Sequence, residues 1–307
     1  MKDRAIASEK TIPQERAMPE EKTKLPERYT FEDILAVRLL VRAREDFQSM
    51  RKKMDNRIGR TAKGEQQNVE ARAFRADDLQ MFSTIADECK RQEAELEKNL
   101  KKVLKRFPIY TEYLLGVKGV GTISAGWIIA EFNIKRATTV SKMWQFAGLN
   151  SGQVRGNKDV SASEYKPELG EIIREYEMPK AGKRVVYKTG ELIRGDKLSP
   201  GFAAPFNKKL RSALVEVMAN NFIKHQTFYC MEFYYPYKER LAQEENEVLH
   251  VGKMKQWKEV TPGHRDRAAK RYMVKMFLKD LYVAWREIEC LPVRAPYQEE
   301  YLGHTHE

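Results

Sequence analysis

The chain has 307 residues, of which 42% are hydrophobic and 33% charged, with a formal net charge of +12, a pI near 9.4 and a mean hydropathy of −0.65. That length suits one large or two modest domains, no apolar run is long enough to cross a bilayer, and the first residues lack the apolar core of a secretory leader, which predicts a cytoplasmic protein. Three scattered cysteines (Cys89, Cys230, Cys290) without CxxC spacing and five histidines (His225, His250, His264, His304, His306) argue against a disulfide framework or a zinc site. The positive excess favours a polyanion, DNA or RNA, bound with strong salt dependence; the plainer alternative is a solvated basic surface.

Residues 1–28 contain Pro13, Pro19 and Pro26 among mixed charges and little apolar material, which predicts a disordered arm. From about Tyr29 to Arg60 the pattern is helical, with Val37, Leu40, Phe47, Met54 and Ile58 on one stripe. Arg38, Arg42, Arg51, Lys52, Lys53 and Arg57 occupy the remaining surface, as a solvated or a nucleic-acid face. A break at Gly59 to Gly64 precedes a second long helix to about Phe107, with Phe82, Ala86, Cys89, Leu96, Leu100, Val103 and Phe107 at heptad-like spacing, stopped by Pro108. Two such helices predict a coiled-coil hairpin over 29–108, which would also pair two copies of the chain.

Residues 114–125, Leu-Leu-Gly-Val-Lys-Gly-Val-Gly-Thr-Ile-Ser-Ala, carry the most specific signal. An apolar pair precedes Gly119-Val120-Gly121, and an apolar helix follows from Thr122 to about Phe132, the pattern of a helix-hairpin-helix. Its glycines permit a tight turn. They leave the backbone amides at the start of the second helix bare, beside a positive dipole end where a phosphate oxygen fits. Lys118 and Thr122 add donors. A Gly-x-Gly turn between helices can also be mere punctuation, and the segment is neither a Walker loop nor a Rossmann fingerprint.

Trp144 to Leu149 closes a further short helix. Residues 150–205 are the least regular stretch, and Lys183 to Arg194 reads as a β-hairpin with Thr189-Gly190 at its turn. Asn207-Lys208-Lys209-Leu210-Arg211 opens a helix to about Lys224. The aromatic run from Phe228 to Tyr237 is either core or a base-stacking surface, with core the simpler reading. The last strong helix begins at His264-Arg265-Asp266-Arg267 and reaches about Arg286; from Pro292 the chain reads as a tail.

Several of these stretches, in order, resemble the insertion-sequence transposases guided by a bridge RNA, the "IS-one-ten" family. Arg38–Arg44 through Met54–Ile58 resembles the arginine-rich helix that opens the family's coiled coil, and Leu114–Ala125 its hairpin motif. Phe146-Ala147-Gly148-Leu149 is similar to the family's "AGL" turn, and Asn207–Arg211 to its "GN-x-x-LR" helix start. The helix from His264, with Arg271–Lys275, resembles the closing helix of that domain. The likeness covers about residues 30–287.

Two departures accompany the likeness. Family members begin with a resolvase-like domain whose acidic residues bind divalent metal; here the coiled-coil pattern begins by residue 29, so no such domain is expected, and a metal would require an acidic partner in trans. The family's attacking serine has its dipeptide counterpart in Ser151-Gly152, closer to the AGL turn than the family spacing, where Gly156-Asn157 stands instead. A serine needs an activating base or metal, and none is near in sequence, so the alternative for Ser151 is an ordinary loop or cap serine.

The expected fold is thus mainly α: an arm (1–28), a coiled-coil hairpin (29–108), a helix-hairpin-helix transposase-like domain with a small β-hairpin insertion (109–290), and a tail (291–307). The expected function is DNA binding in a mobile element, with a structured RNA implied by the resemblance. Backbone contacts are assigned to Lys118, Gly119, Val120, Gly121 and Thr122, then Lys208, Lys209, Arg211, His264, Arg265 and Arg267, with no metal or cofactor in this chain. The alternatives are a serine recombinase using Ser151 and a structural coiled-coil dimer.

Overall fold

The computed structural model describes residues 29–59, 75–250 and 253–294. The expected arm, the loop from residue 60 and the tail beyond 294 lie outside the described residues. The chain is mainly helical with a small antiparallel sheet.

Helix α1 (Phe31–Arg57) starts at a capping box: Thr30 Oγ1 accepts from the Asp33 amide, and the Asp33 carboxylate accepts from the Thr30 amide. Helix α2 (Ala76–Leu104) runs antiparallel to it, with Arg106 beyond its end meeting Asp33 and Glu93 on it meeting Arg51. The apolar stripes face inward: Val37, Val41, Ile58, Ala86, Cys89, Leu100 and Phe107 are all buried. Four arginines of α1 form structural pairs with one acid of α2 and one at the end of the Thr122–Glu131 helix. Arg44 and Arg51 hold buried Glu93, and Arg38 and Arg42 approach Glu131.

Helix α3 (Thr122–Glu131) packs against this pair through Gly126, where a Cβ would stand 2.7 Å from Val41 and 3.0 Å from Leu100. Helix α4 (Val140–Phe146) rests on the long last helix α8 (Pro262–Ile288), with Trp144 Nε1 donating to the Lys275 carbonyl at 3.1 Å. Between them in sequence come α5 (Lys208–Ser212), continued through a π-helical stretch into α6 (Ala219–Lys224), and α7 (Tyr235–Gln243). One buried cluster joins Val37, Leu100, Ile128, Phe222, Tyr229 and Phe277, so the base of the α1–α2 pair shares its core with α3, α6 and α8. The aromatic run 228–237 divides: Tyr229 and Tyr234 are buried, Tyr229 against Phe222 and Phe277, whereas Phe228 is exposed.

The expected hairpin at 183–194 is instead a single strand. Strands β1 (Gln153–Ser161), β2 (Ile172–Met178) and β3 (Gly182–Arg194) form an antiparallel sheet in the order β1-β3-β2. Thr189-Gly190 is a bulge opposite Gly156 rather than a turn: Arg155 pairs with Leu192 and Asn157 with Lys188. Thr189 Oγ1 donates to the Gly156 carbonyl at 3.0 Å and accepts from the Glu191 amide. Pairing with β1 on both sides of the bulge, at Arg184–Lys188 and at Leu192–Arg194, keeps β3 extended where local turn chemistry alone would fold it back. A second ribbon, β4 (Glu247–His250) with β5 (Lys253–Gln256), precedes α8.

Candidate nucleic-acid interface

The turn at 117–121 is closed by the Val120 amide donating to the Val117 carbonyl at 3.1 Å. Gly119 adopts φ +94°, and a Cβ there would lie 2.6 Å from the Phe222 ring. This position therefore requires glycine both for its backbone and for its neighbour. Gly121 differs: φ is −87° and nothing stands within 4 Å of a built Cβ. Gly121 is the N-cap of α3 and offers no side-chain cap, so the amides of Thr122, Ile123 and Ser124 lack intrahelical acceptors. Lys118 is exposed on the turn.

These amides open into a cleft of about 680 Å³ between α1, α3 and α5. Gly121 and Thr122 line it together with Lys208 and Lys209, which the sequence separates by more than eighty positions, and with Arg44 and Lys52 of α1. Glu45, Glu97 and Glu216 temper its charge, and Lys209 Nζ sits 3.4 Å from Glu45 Oε2.

Lys208 also borders a second cleft of about 640 Å³ between α5, α8 and the strap after β3, where Arg211 and Arg267 meet. Arg211 is held firmly. Its guanidinium lies 4.8 Å from the Phe206 ring centroid and donates to the Asp196 carbonyl at 2.5 Å. Phe206 in turn occupies the space beside Gly148, and the Asn207 amide donates to the Phe146 carbonyl at 2.9 Å. The Asn207 side chain caps α5 through the Leu210 amide and donates to Glu131 at 2.7 Å.

Other expected contacts are not brought to the clefts. Arg265 Nη1 donates to the Trp257, Lys258 and Val260 carbonyls, tying the segment before α8 to its first turn. His264 packs 5.4 Å from the Trp257 ring. Ser151 is exposed, and its hydroxyl has no hydrogen-bond partner among the described residues; beside it Asn150 Oδ1 accepts from the Gly152 amide at 3.1 Å. No group of three or more metal-ligating side chains occurs among the described residues.

Sequence reasoning assigned no ligand contact to Lys197 or to Arg271, which line the second cleft. The available signal was spacing: Arg267, Arg271 and Lys275 recur every fourth residue and share one face of α8. Burial, and then the nearby Arg211 charge, push the Arg271 guanidinium downward in pKa; burial alone does the same to Lys275, whose ammonium lies 4.5 Å from the Trp144 ring. In comparisons with known proteins, the chain matches no protein-family model, no curated protein and no solved structure.

Proposed function

We propose that this chain is a nucleic-acid-binding protein related to the transposases of mobile elements, gripping a DNA backbone in the first cleft. The observation that carries the reading is convergence: the amide end of α3 and the α5 lysines, remote in sequence, line one concave surface. On this reading residues 109–131 act as a helix-hairpin-helix. Amides of Gly121, Thr122 and Ile123 meet phosphate oxygens, Lys208 and Lys209 neutralise neighbouring phosphates, and Lys118 flanks them. The α1–α2 pair serves as a coiled-coil arm, a role supported by Leu39, Met50, Met81 and Ile85 exposed along it. Phosphate contacts fix position without reading sequence, so specificity comes from elsewhere; the resemblance to RNA-guided transposases points to a structured RNA.

The test is DNA affinity across a salt series for the parent chain and Gly121→Val. The open space at Gly121 lets the variant fold while its side chain covers the amides. The parent is expected to lose affinity steeply with salt, and Gly121→Val to bind roughly tenfold more weakly, as for loss of one or two charge-assisted hydrogen bonds. Unchanged affinity in the folded variant would refute the amide contact, and a parent that binds no nucleic acid at low salt would refute the whole reading.

A further inference from the structure

The second cleft holds more positive charge than backbone tracking in the first cleft uses. Lys197, Lys208, Arg211, Arg267, Lys270 and Arg271 line it against two carboxylates, Asp196 and Glu216. Both Asp196 oxygens already accept from Arg194 at 3.0 Å, and Lys270 pairs with Asp266 at 2.9 Å. Glu216 is left facing five cations.

Arg271 is the most telling of the five. It is half-buried on α8 and makes no hydrogen bond or ion pair with any described residue. A guanidinium carries five donors, and those of Arg271 keep access to solvent in the cleft with no acceptor among the described residues, so they are open to a ligand. Its charged neighbours include Arg211 and Arg267, which repel it, with Asp196 opposing them. Arg211 is already oriented by Phe206 and the Asp196 carbonyl. One turn further along α8, Lys275 extends the row toward Trp144. A concave wall with one sign of charge concentrates its field on an incoming anion.

We propose that this cleft binds the terminal phosphate monoester of a nucleic-acid strand, with Arg271 and Arg211 holding the phosphate oxygens and Arg267 and Lys208 at the mouth. An internal phosphodiester carries one negative charge and a substituent on either side, so it lies along a surface. A terminal monoester approaches two negative charges at neutral pH and offers three free oxygens. With a single substituent it enters a recess head-on and takes two arginine forks. Leu198, Phe206 and Val215 supply apolar wall for the last nucleoside. The inference rests on the nucleic-acid reading above and states which part of the strand this cleft takes.

The experiment titrates the full chain against one single-stranded DNA oligonucleotide, internally labelled, in three forms: hydroxyl at both ends, 5′-phosphorylated, and 3′-phosphorylated. One phosphorylated form is expected to bind roughly tenfold more tightly than the hydroxyl-ended form. Arg271→Gln, and separately Arg211→Gln, bring that ratio close to one, whereas Lys209→Gln in the first cleft weakens all three forms and keeps the ratio. Inorganic phosphate is expected to raise the melting temperature of the parent and not of Arg271→Gln; because Arg271 has no protein partner, that variant loses no native bond. Equal affinity for all three forms, or an end preference that survives both arginine variants, would overturn the terminal-phosphate site. A hydroxyl-ended strand that fails to bind while a phosphorylated one binds overturns the first-cleft reading alone. Binding of none overturns both.

Discussion

The Phe206 ring leaves no room for a side chain at Gly148: a Cβ there would lie 2.6 Å from the ring carbon, and Gly148 adopts φ +68°. The same ring carries the guanidinium of Arg211. The glycine turn after α4 and the cation on α5 therefore behave as one assembly with the phenylalanine between them, although the turn and the cation lie far apart in the chain.

Gly148→Ala is accordingly expected to destabilise the fold by about 3 kcal/mol, combining left-handed strain with overpacking against Phe206. Gly182→Ala is the control. That residue also has a positive φ, +66°, but nothing within 4 Å of a built Cβ, so its cost is expected near 1 kcal/mol. Urea denaturation of the two variants measures the difference, and equal losses would assign the Gly148 effect to backbone strain alone.

Lys209 reaches Glu45 across the first cleft. The pair is solvent-exposed and contributes little to stability, under about 1 kcal/mol, but it neutralises a cation that the proposed function assigns to phosphate. Glu45→Gln is expected to leave the melting temperature nearly unchanged and to tighten DNA binding roughly threefold at low salt, the gain fading as ionic strength rises. Anisotropy titration checks this; weaker binding would mean that Glu45 itself supports the ligand.

The capping box of α1 predicts a pH dependence. The Thr30 amide, and then Arg106, hold the Asp33 carboxyl below the usual aspartate range. A carboxyl with a folded pKa below its unfolded value of about 3.9 contributes its stability in full above that value. The contribution disappears as pH falls through the lower folded value, because the unfolded chain then binds the proton first. Asp33→Asn is expected to cost about 1 kcal/mol at neutral pH and to flatten the acid side of the stability profile below pH 4. Thermal melts of both proteins from pH 7 to pH 3 test the sign; an unchanged acid slope would remove Asp33 from the account.

Much of the helical framework was legible in the chain because its signals are local. The 3.6-residue stripe of α1, the heptad-like stripe of α2, the stop near Pro108 and the turn glycines act through near neighbours in sequence. The sheet was misread for the converse reason. Thr189-Gly190 is good turn chemistry, but Gly156 opposite it and the β1 pairing that resumes at Leu192 make it a bulge, and no window around residue 190 contains that information.

Charge divides in the same way. Sequence by itself determined that the protein is basic, where its long helices run and that a glycine turn exposes the start of α3, since composition, periodicity and backbone freedom need only adjacent residues. Only the tertiary structure decided which cations are neutralised. Arg38, Arg42, Arg44 and Arg51 face Glu131 and Glu93, and Arg265 is tied to carbonyls, while Lys208, Arg267 and Arg271 gather in a cleft with too few carboxylates to match them. Whether a charge is paired depends on what folding brings within a few ångströms, and those partners come from remote parts of the chain.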